Sequence, residues 1–408
     1  MSKQYGVNYE FWKAEKWALI LLVIGLILSD TLYTSLILGI SGLLFVVKLP
    51  RMKLVLNGEH LLLSIAFFSV FFINIIHYNS TFYWSAYLCL TPLFMYSLGK
   101  YFMRRWENED NLLLIWFLLA VSLGSVHISV TIVDIMENGI VNPERVLGIG
   151  VDNDSQRAVT QRVIELSLCF FGFSMLMYKP LNNFQHIAKF LFVVIGVLAL
   201  LCGLHYVSRT CLFFFLVNIL IGVLVTRNKN TKNKGSGIIV FILIILIIVF
   251  IVFSEQSTIF QLFQLYQNRG MNNKDIMSAG GRQERWLEAL DVIFAHPWGT
   301  KSDFFAHNLW LDIGMQYGII PFIFLVWFSI SNFRKAFLIV IRKQESLLVR
   351  LCVSSFSVLF FLSCFTEPIH VGAPNYLFLY GLFCGMINAI FKRVPQPQTN
   401  DGLVVDEA

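Results

Sequence analysis

Apolar residues run through this chain in long, nearly unbroken stretches separated by short polar turns. The stretches fall near 17–29, 32–47, 61–77, 84–98, 112–136, 158–177, 190–206, 211–226, 238–254, 307–330, 351–366 and 376–391. Most approach the roughly 20 residues a helix needs to cross the hydrocarbon layer, where each backbone group must be satisfied within its own element. The pattern predicts an all-α polytopic membrane protein with twelve transmembrane helices in a single membrane domain, 1–408. The first stretch, interrupted at Ser29-Asp30-Thr31, is too short to cross upright; it is either a span or half of a re-entrant hairpin, and no small-residue cleavage site follows it to favour a cleaved signal peptide.

Two connections break this rhythm. One covers about 137–157 and carries Asn142-Pro-Glu-Arg145 and Asp152-Asn-Asp-Ser-Gln-Arg157; the other covers about 255–306. Loops of that length in a compact protein are either functional or disordered, and the second has helical patterning without low complexity. Ser278-Ala-Gly-Gly-Arg282 reads as a helix start and Ala295-His296-Pro297 as its end. Trp286, Leu290 and Ile293 fall at i, i+4 and i+7, which predicts an amphipathic helix packed on the bundle at the bilayer surface. The tail 394–408 reads as disordered, and no internal repeat is evident.

Charge placement orients the chain. With the N-terminus inside, most of its 31 Lys and Arg residues fall on the cytoplasmic side, and both termini lie there. The opposite side keeps Arg145, Arg157, Arg162, Arg209, Arg269, Lys274, Arg282, Arg285 and Lys301, and arginine on that side needs a reason. The net charge of +6 reflects the same bias and does not point to nucleic acid. Composition agrees: at 57% hydrophobic and 14% charged, the chain could not cover its apolar surface as a soluble domain.

Arginines held on the outer face suggest a bound anion. Arg282 and Arg285 lie three apart, close enough in angle to address one ligand. Gly280 and Gly281 just before them allow an anion to approach backbone N–H groups at the helix start. His307 opens the next apolar stretch; a neutral imidazole there is a plausible general base, and Asn308 beside it could orient a substrate hydroxyl. Between the seventh and eighth stretches, His205-Tyr-Val-Ser208-Arg209-Thr210 sets Arg209 near the outer interface. It is either a functional intramembrane charge or a snorkelling side chain. Arg145, Arg157 and Arg162 either extend the anion site or pair with Glu144, Asp152, Asp154 or Glu165; Arg145 and Arg157 are retained as candidates. Glu367 and His370 read as structural.

Several chemistries lack a signature. His60, His77, His127, His186 and His296 have no metal-ligand spacing, and no D-x-D, Walker or dinucleotide glycine motif occurs. No metal and no cofactor is therefore expected. The seven cysteines fall in or beside apolar stretches without C-x-x-C spacing and read as small packing residues.

Taken in order, Ser208-Arg209, Gly281-Arg282-x-x-x-Trp286, Pro297-x-Gly299, His307-Asn308, Gly314 and Gly318-Ile-Ile-Pro321 resemble the bacterial O-antigen ligase and polymerase superfamily. The motifs cover roughly 200–325, and the topology covers the whole chain. The resemblance implies a GT-C-like fold in the bacterial inner membrane with a periplasmic active site. It implies an inverting, metal-independent transfer from an undecaprenyl-pyrophosphate-linked glycan donor. In that reading Arg209 and Arg282 stabilise the departing pyrophosphate, and His307 deprotonates the acceptor. Arg285 is a helper carried by spacing alone. The acceptor is lipid A–core for a ligase or a lipid-linked repeat unit for a polymerase; one dominant outer loop favours the ligase. Two other classes stay open. A lipid-linked oligosaccharide flippase would hold the same pyrophosphate without cutting it, although the long loop and the lack of repeat symmetry speak against it. A non-catalytic assembly protein would leave the Arg282–His307 cluster unexplained.

Overall fold

A computed structural model of the chain describes residues 9–31, 36–52, 57–78, 80–104, 109–139, 164–206, 208–227, 282–301, 305–366, 369 and 374–393. The described residues are helical, with no strand among them. In order they form α1 (Tyr9–Thr31), α2 (Leu36–Met52), α3 (Gly58–Tyr78), α4 (Phe82–Arg104) and α5 (Glu109–Asn138). Next come α6 (Ile164–Met175, with a 3₁₀ turn at Leu168–Phe170), α7 (Asn183–His205) and α8 (Arg209–Thr226). The chain then forms α9 (Arg282–Ala295), α10 (Leu309–Tyr317), α11 (Ile319–Arg342), α12 (Leu347–Thr366) and α13 (Pro374–Arg393).

Six of these, α3, α5, α7, α11, α12 and α13, are long and apolar enough to cross a bilayer, which makes the protein polytopic in the membrane. Their outer faces present large apolar side chains such as Phe72, Ile76, Trp327 and Phe337, all more than half exposed. That surface is stable against lipid and not against water. The stretch 238–254, the loop 137–157, the first part of the loop 255–306 (through Gly281) and the tail 394–408 lie outside the described residues, apart from 137–139.

Two expectations change. The stretch 307–330 is not one span. Gly318, with φ +86° and ψ −176°, breaks it into the short α10 and the crossing α11, which continues to Arg342. The first stretch is also longer than 17–29: α1 runs for 23 residues and includes Lys13, Glu15 and Lys16. Hydropathy stops at those charges, but the helix does not. Glu15 is fully buried, accepting from Lys48 Nζ at 2.8 Å and from Tyr101 at 2.7 Å.

Similar polar ties hold other helices together. Glu59 of α3 accepts from Lys335 and from Ser331 of α11. Asn57 donates to Asn388 of α13 and receives from Lys100 of α4. Asp110 of α5 accepts from Gln185 at 2.6 Å and Asn182 at 2.8 Å, at the start of α7. Between α4 and α13 the device is different. Gly381 and Gly385, four apart on α13, lie on the backbone of Pro92 and Tyr96. A Cβ at Gly385 would collide with the Tyr96 carbonyl, so the two helices approach as closely as small residues permit.

Candidate functional site

Helices α9 and α10 form a small module on the end of the bundle where α3 finishes. Its own core is Ala289, Ile293, Ala306, Leu311 and Met315, with Trp286, Leu290 and Phe322 packed around them. Trp286, Leu290 and Ile293 thus face inward, as their spacing predicts, and Arg282–Ala295 closes at the expected residue. Glycine sets the distance between the two helices: Ile293 lies against Gly314, where a side chain would displace it.

The Pro297-Trp298-Gly299 turn is tied to the far end of α10. Thr300 N donates to Met315 O, and Ile319 N donates to Pro297 O, both at 2.9 Å. Gly299 and Gly318 each have φ +86°, and a Cβ on either would strike the opposite backbone, at the Gln316 and Pro297 carbonyls. Tyr78 at the end of α3 also donates to Gln316 O, fixing the knot to the bundle. Gly299 and Gly318 are therefore explained by backbone packing, and Gly314 by the side chain of Ile293.

At the other end of α10 the chain makes a tight turn, Ala306-His307-Asn308. His307 has φ +54°, a left-handed conformation that costs a non-glycine residue about 1–2 kcal/mol. Three fixed groups surround it. Trp286 Nε1 donates to Ala306 O at 3.0 Å. Asp312 Oδ1 accepts from Ala306 N at 2.7 Å, and its Oδ2 accepts from Asn308 N at 3.2 Å. Asn308 Oδ1 caps α10, accepting from Trp310 N at 3.1 Å and Leu311 N at 3.2 Å. The side-chain oxygen of Asn308 is thus engaged in holding the helix start. Aromatic packing seats the turn on α12: Phe365 lies 4.8 Å from the Trp310 ring and 5.9 Å from that of Trp286. Trp310 Nε1 also donates to Ser329 of α11 at 2.9 Å.

The electrostatics follow from this placement. Burial pulls His307 down to about 4, and the guanidiniums of Arg282 and Arg285 push the same way. The imidazole is therefore neutral at pH 7 and lies within the field of two cations. Burial raises Asp312 to about 7, against the opposing pull of the two N–H groups it accepts from. Arg282 is partly buried and Arg285 is exposed, so one cation is built into the module and the other reaches from its surface.

The structure therefore brings together Arg282, Arg285, His307 and Asn308 from the predicted set. Arg209 is the first residue of α8, directly after the Ser208 cap, whose Oγ accepts from Cys211 N at 3.3 Å. Gly281, Arg145 and Arg157 lie outside the described residues, as do Arg162, Glu367 and His370. The segment before Arg209 has partners the sequence did not suggest. His205 bonds to Asp134 of α5 at 2.7 Å, and Tyr206 to Thr131 at 2.9 Å. One turn earlier on α5, His127 pairs with Glu165 of α6, one of the acids expected for the arginines. His127, Thr131 and Asp134 at i, i+4 and i+7 form one buried polar face, legible only by looking for polar residues at helical spacing inside an apolar run. Asp312 was missed for a related reason. In Leu-Trp-Leu-Asp-Ile it looks like a lone charge, and its partners are backbone groups. All seven cysteines are buried.

No family model matches the chain, and no curated protein matches it.

Proposed function

We propose that this protein is an inverting glycosyltransferase of the bacterial inner membrane that takes its glycan from an undecaprenyl-pyrophosphate donor. The observation that carries the reading is the convergence of Arg282 and Arg285 on a neutral, conformationally held His307. In this reading His307 accepts the proton of an acceptor hydroxyl, and the acceptor oxygen forms its bond to the anomeric carbon from the opposite face. The anomeric carbon–phosphate oxygen bond breaks, and its electron pair leaves on the pyrophosphate. The arginines and the N-terminus of α9 meet that charge where it develops. An imidazole at about 4, half-buried beside two guanidiniums, is a weak base. A bound pyrophosphate would offset the two guanidiniums and raise it, so the base would strengthen when donor is present.

A twelve-span, GT-C-like arrangement with both termini cytoplasmic and the α9–α10 module periplasmic belongs to the same reading. Arg209 joins the pyrophosphate site in it, and Arg145 and Arg157 remain candidates for donor contact. The acceptor we assign is lipid A–core, making the protein an O-antigen ligase.

Deletion of the gene in its host tests this directly, with surface polysaccharide run beside the lipid-linked pool. Bare core with long polymer accumulated on undecaprenyl pyrophosphate is the expected result. Core bearing a single repeat would reassign the protein as a polymerase, and donor trapped on the cytoplasmic face would reassign it as a flippase.

A further inference from the structure

We propose that Asp312 is the positioning residue of this site: by accepting from the N–H groups on both sides of His307, its carboxylate holds that residue in its left-handed turn and so aims the imidazole. The role assigned to the imidazole rests on the glycosyltransferase reading; the clasp itself does not. Asn308 N lies in the peptide plane after His307, and the Ala306 carbonyl held by Trp286 lies in the plane before it, so these two contacts fix its φ and ψ; the bond from Ala306 N to Asp312 anchors the peptide one residue earlier. The distances are 2.7 Å to Ala306 N and 3.2 Å to Asn308 N. The carboxylate is fully buried, so water does not compete for it. Trp286 holds the Ala306 carbonyl from the other side, and Asn308 caps the helix that carries Asp312. The acid thus sits four residues from one bonded N–H and six from the other, on the helix that the turn itself initiates. A buried carboxyl raised to about 7 is accounted for by this geometry: burial favours the proton, and the two N–H groups oppose it. Its bond to Asn308 N also serves as a reciprocal cap at the start of α10, whereas the bond to Ala306 N reaches past the helix to the far side of His307.

The test uses the full chain in lipid nanodiscs, with Asp312→Ala, Asp312→Asn and His307→Gly, singly and combined. Deuterium exchange at the imidazole C2 position, followed by mass spectrometry across pH, gives a titration midpoint for each histidine. In Asp312→Ala the midpoint of His307 should rise from about 4 toward the ordinary value of about 6.5, as the ring leaves its pocket, while the other histidines keep theirs. Asp312→Asn, which keeps one acceptor oxygen, should fall between. Glycine adopts the left-handed turn without strain, so Asp312→Ala should lower Tm less in His307→Gly than in the wild type. In a transfer assay Asp312→Ala should lower kcat about a hundredfold with KM little changed. An unmoved His307 midpoint, or an equal loss of Tm in both backgrounds, overturns the proposal. Absence of transfer by the wild type, with midpoint and Tm coupling as expected, overturns the glycosyltransferase reading and leaves the clasp standing.

Discussion

His307 combines three properties that rarely meet in a structural residue: a left-handed backbone, a half-buried neutral ring, and two cations within electrostatic reach. Strain of this kind persists only where surrounding contacts over-determine it. Its neighbours Arg282 and Arg285 are not equivalent. Arg282 is partly buried, whereas Arg285 is exposed. Arg282→Ala should therefore lower kcat by about 10²–10³, the usual cost of removing one group that stabilises a developing anion. Arg285→Ala should lower it less and mainly raise KM. Steady-state kinetics on purified variants, with equal amounts in the membrane, checks the order; a larger kcat loss for Arg285→Ala would reverse these roles. The residue types and the i, i+3 spacing were readable in the chain. Asp312 was not, because its partners are backbone N–H groups that only the fold brings to it.

The α9–α10 pair shows what a helix break can do. Apolar patterning continues from Leu309 through Gly318 into α11 without a gap, so a single span is the natural expectation. Gly318 lies in a region of φ and ψ that is essentially restricted to glycine, and the turn there lets α10 fold back on the start of α11. Gly299 meets it backbone to backbone from the preceding turn. Gly318→Ala should cost about 1–3 kcal/mol from strain alone, with a further penalty from collision at the Pro297 carbonyl. The measurement is thermal unfolding in detergent: Gly318→Ala should lower Tm clearly, and Gly139→Ala, where a Cβ meets nothing, should show only the backbone part of the loss. Equal losses at the two positions would mean that the knot does not hold the module.

The stability of the whole molecule should carry a pH signature from the two titrating groups of this module. His307 is lowered from 6.5 to about 4, so its contribution is present above 6.5 and is lost as pH falls toward 4. Asp312 is raised from 3.8 to about 7, so its contribution is present below 3.8 and is lost as pH rises through 7. Between pH 4 and 6.5 unfolding takes up a proton at one and releases a proton at the other, and the two slopes oppose. Relative to the wild type, Asp312→Asn should gain stability as pH rises across this window, and His307→Gln should lose it. Thermal midpoints of the three proteins at pH 4.5, 5.5 and 6.5 test the signs; parallel curves would remove the opposing pair. Elsewhere the bundle spends its polar groups on cohesion, as at Glu15–Lys48, Asp110–Gln185 and His205–Asp134.

Membrane class, helical architecture, the amphipathic α9 with its inward Trp286, Leu290 and Ile293, and the identity of the cations beside His307 were all determined by local sequence. They depend on hydropathy, helical period and residue type, which are properties of neighbours along the chain. The division of 307–330 at Gly318, the charged start of α1, the buried polar face of α5 and the Asp312 clasp were decided by tertiary structure. Each depends on a partner from another segment or on a backbone conformation that one glycine permits. Burial then turns an isolated acid or histidine from a liability into a fixed contact.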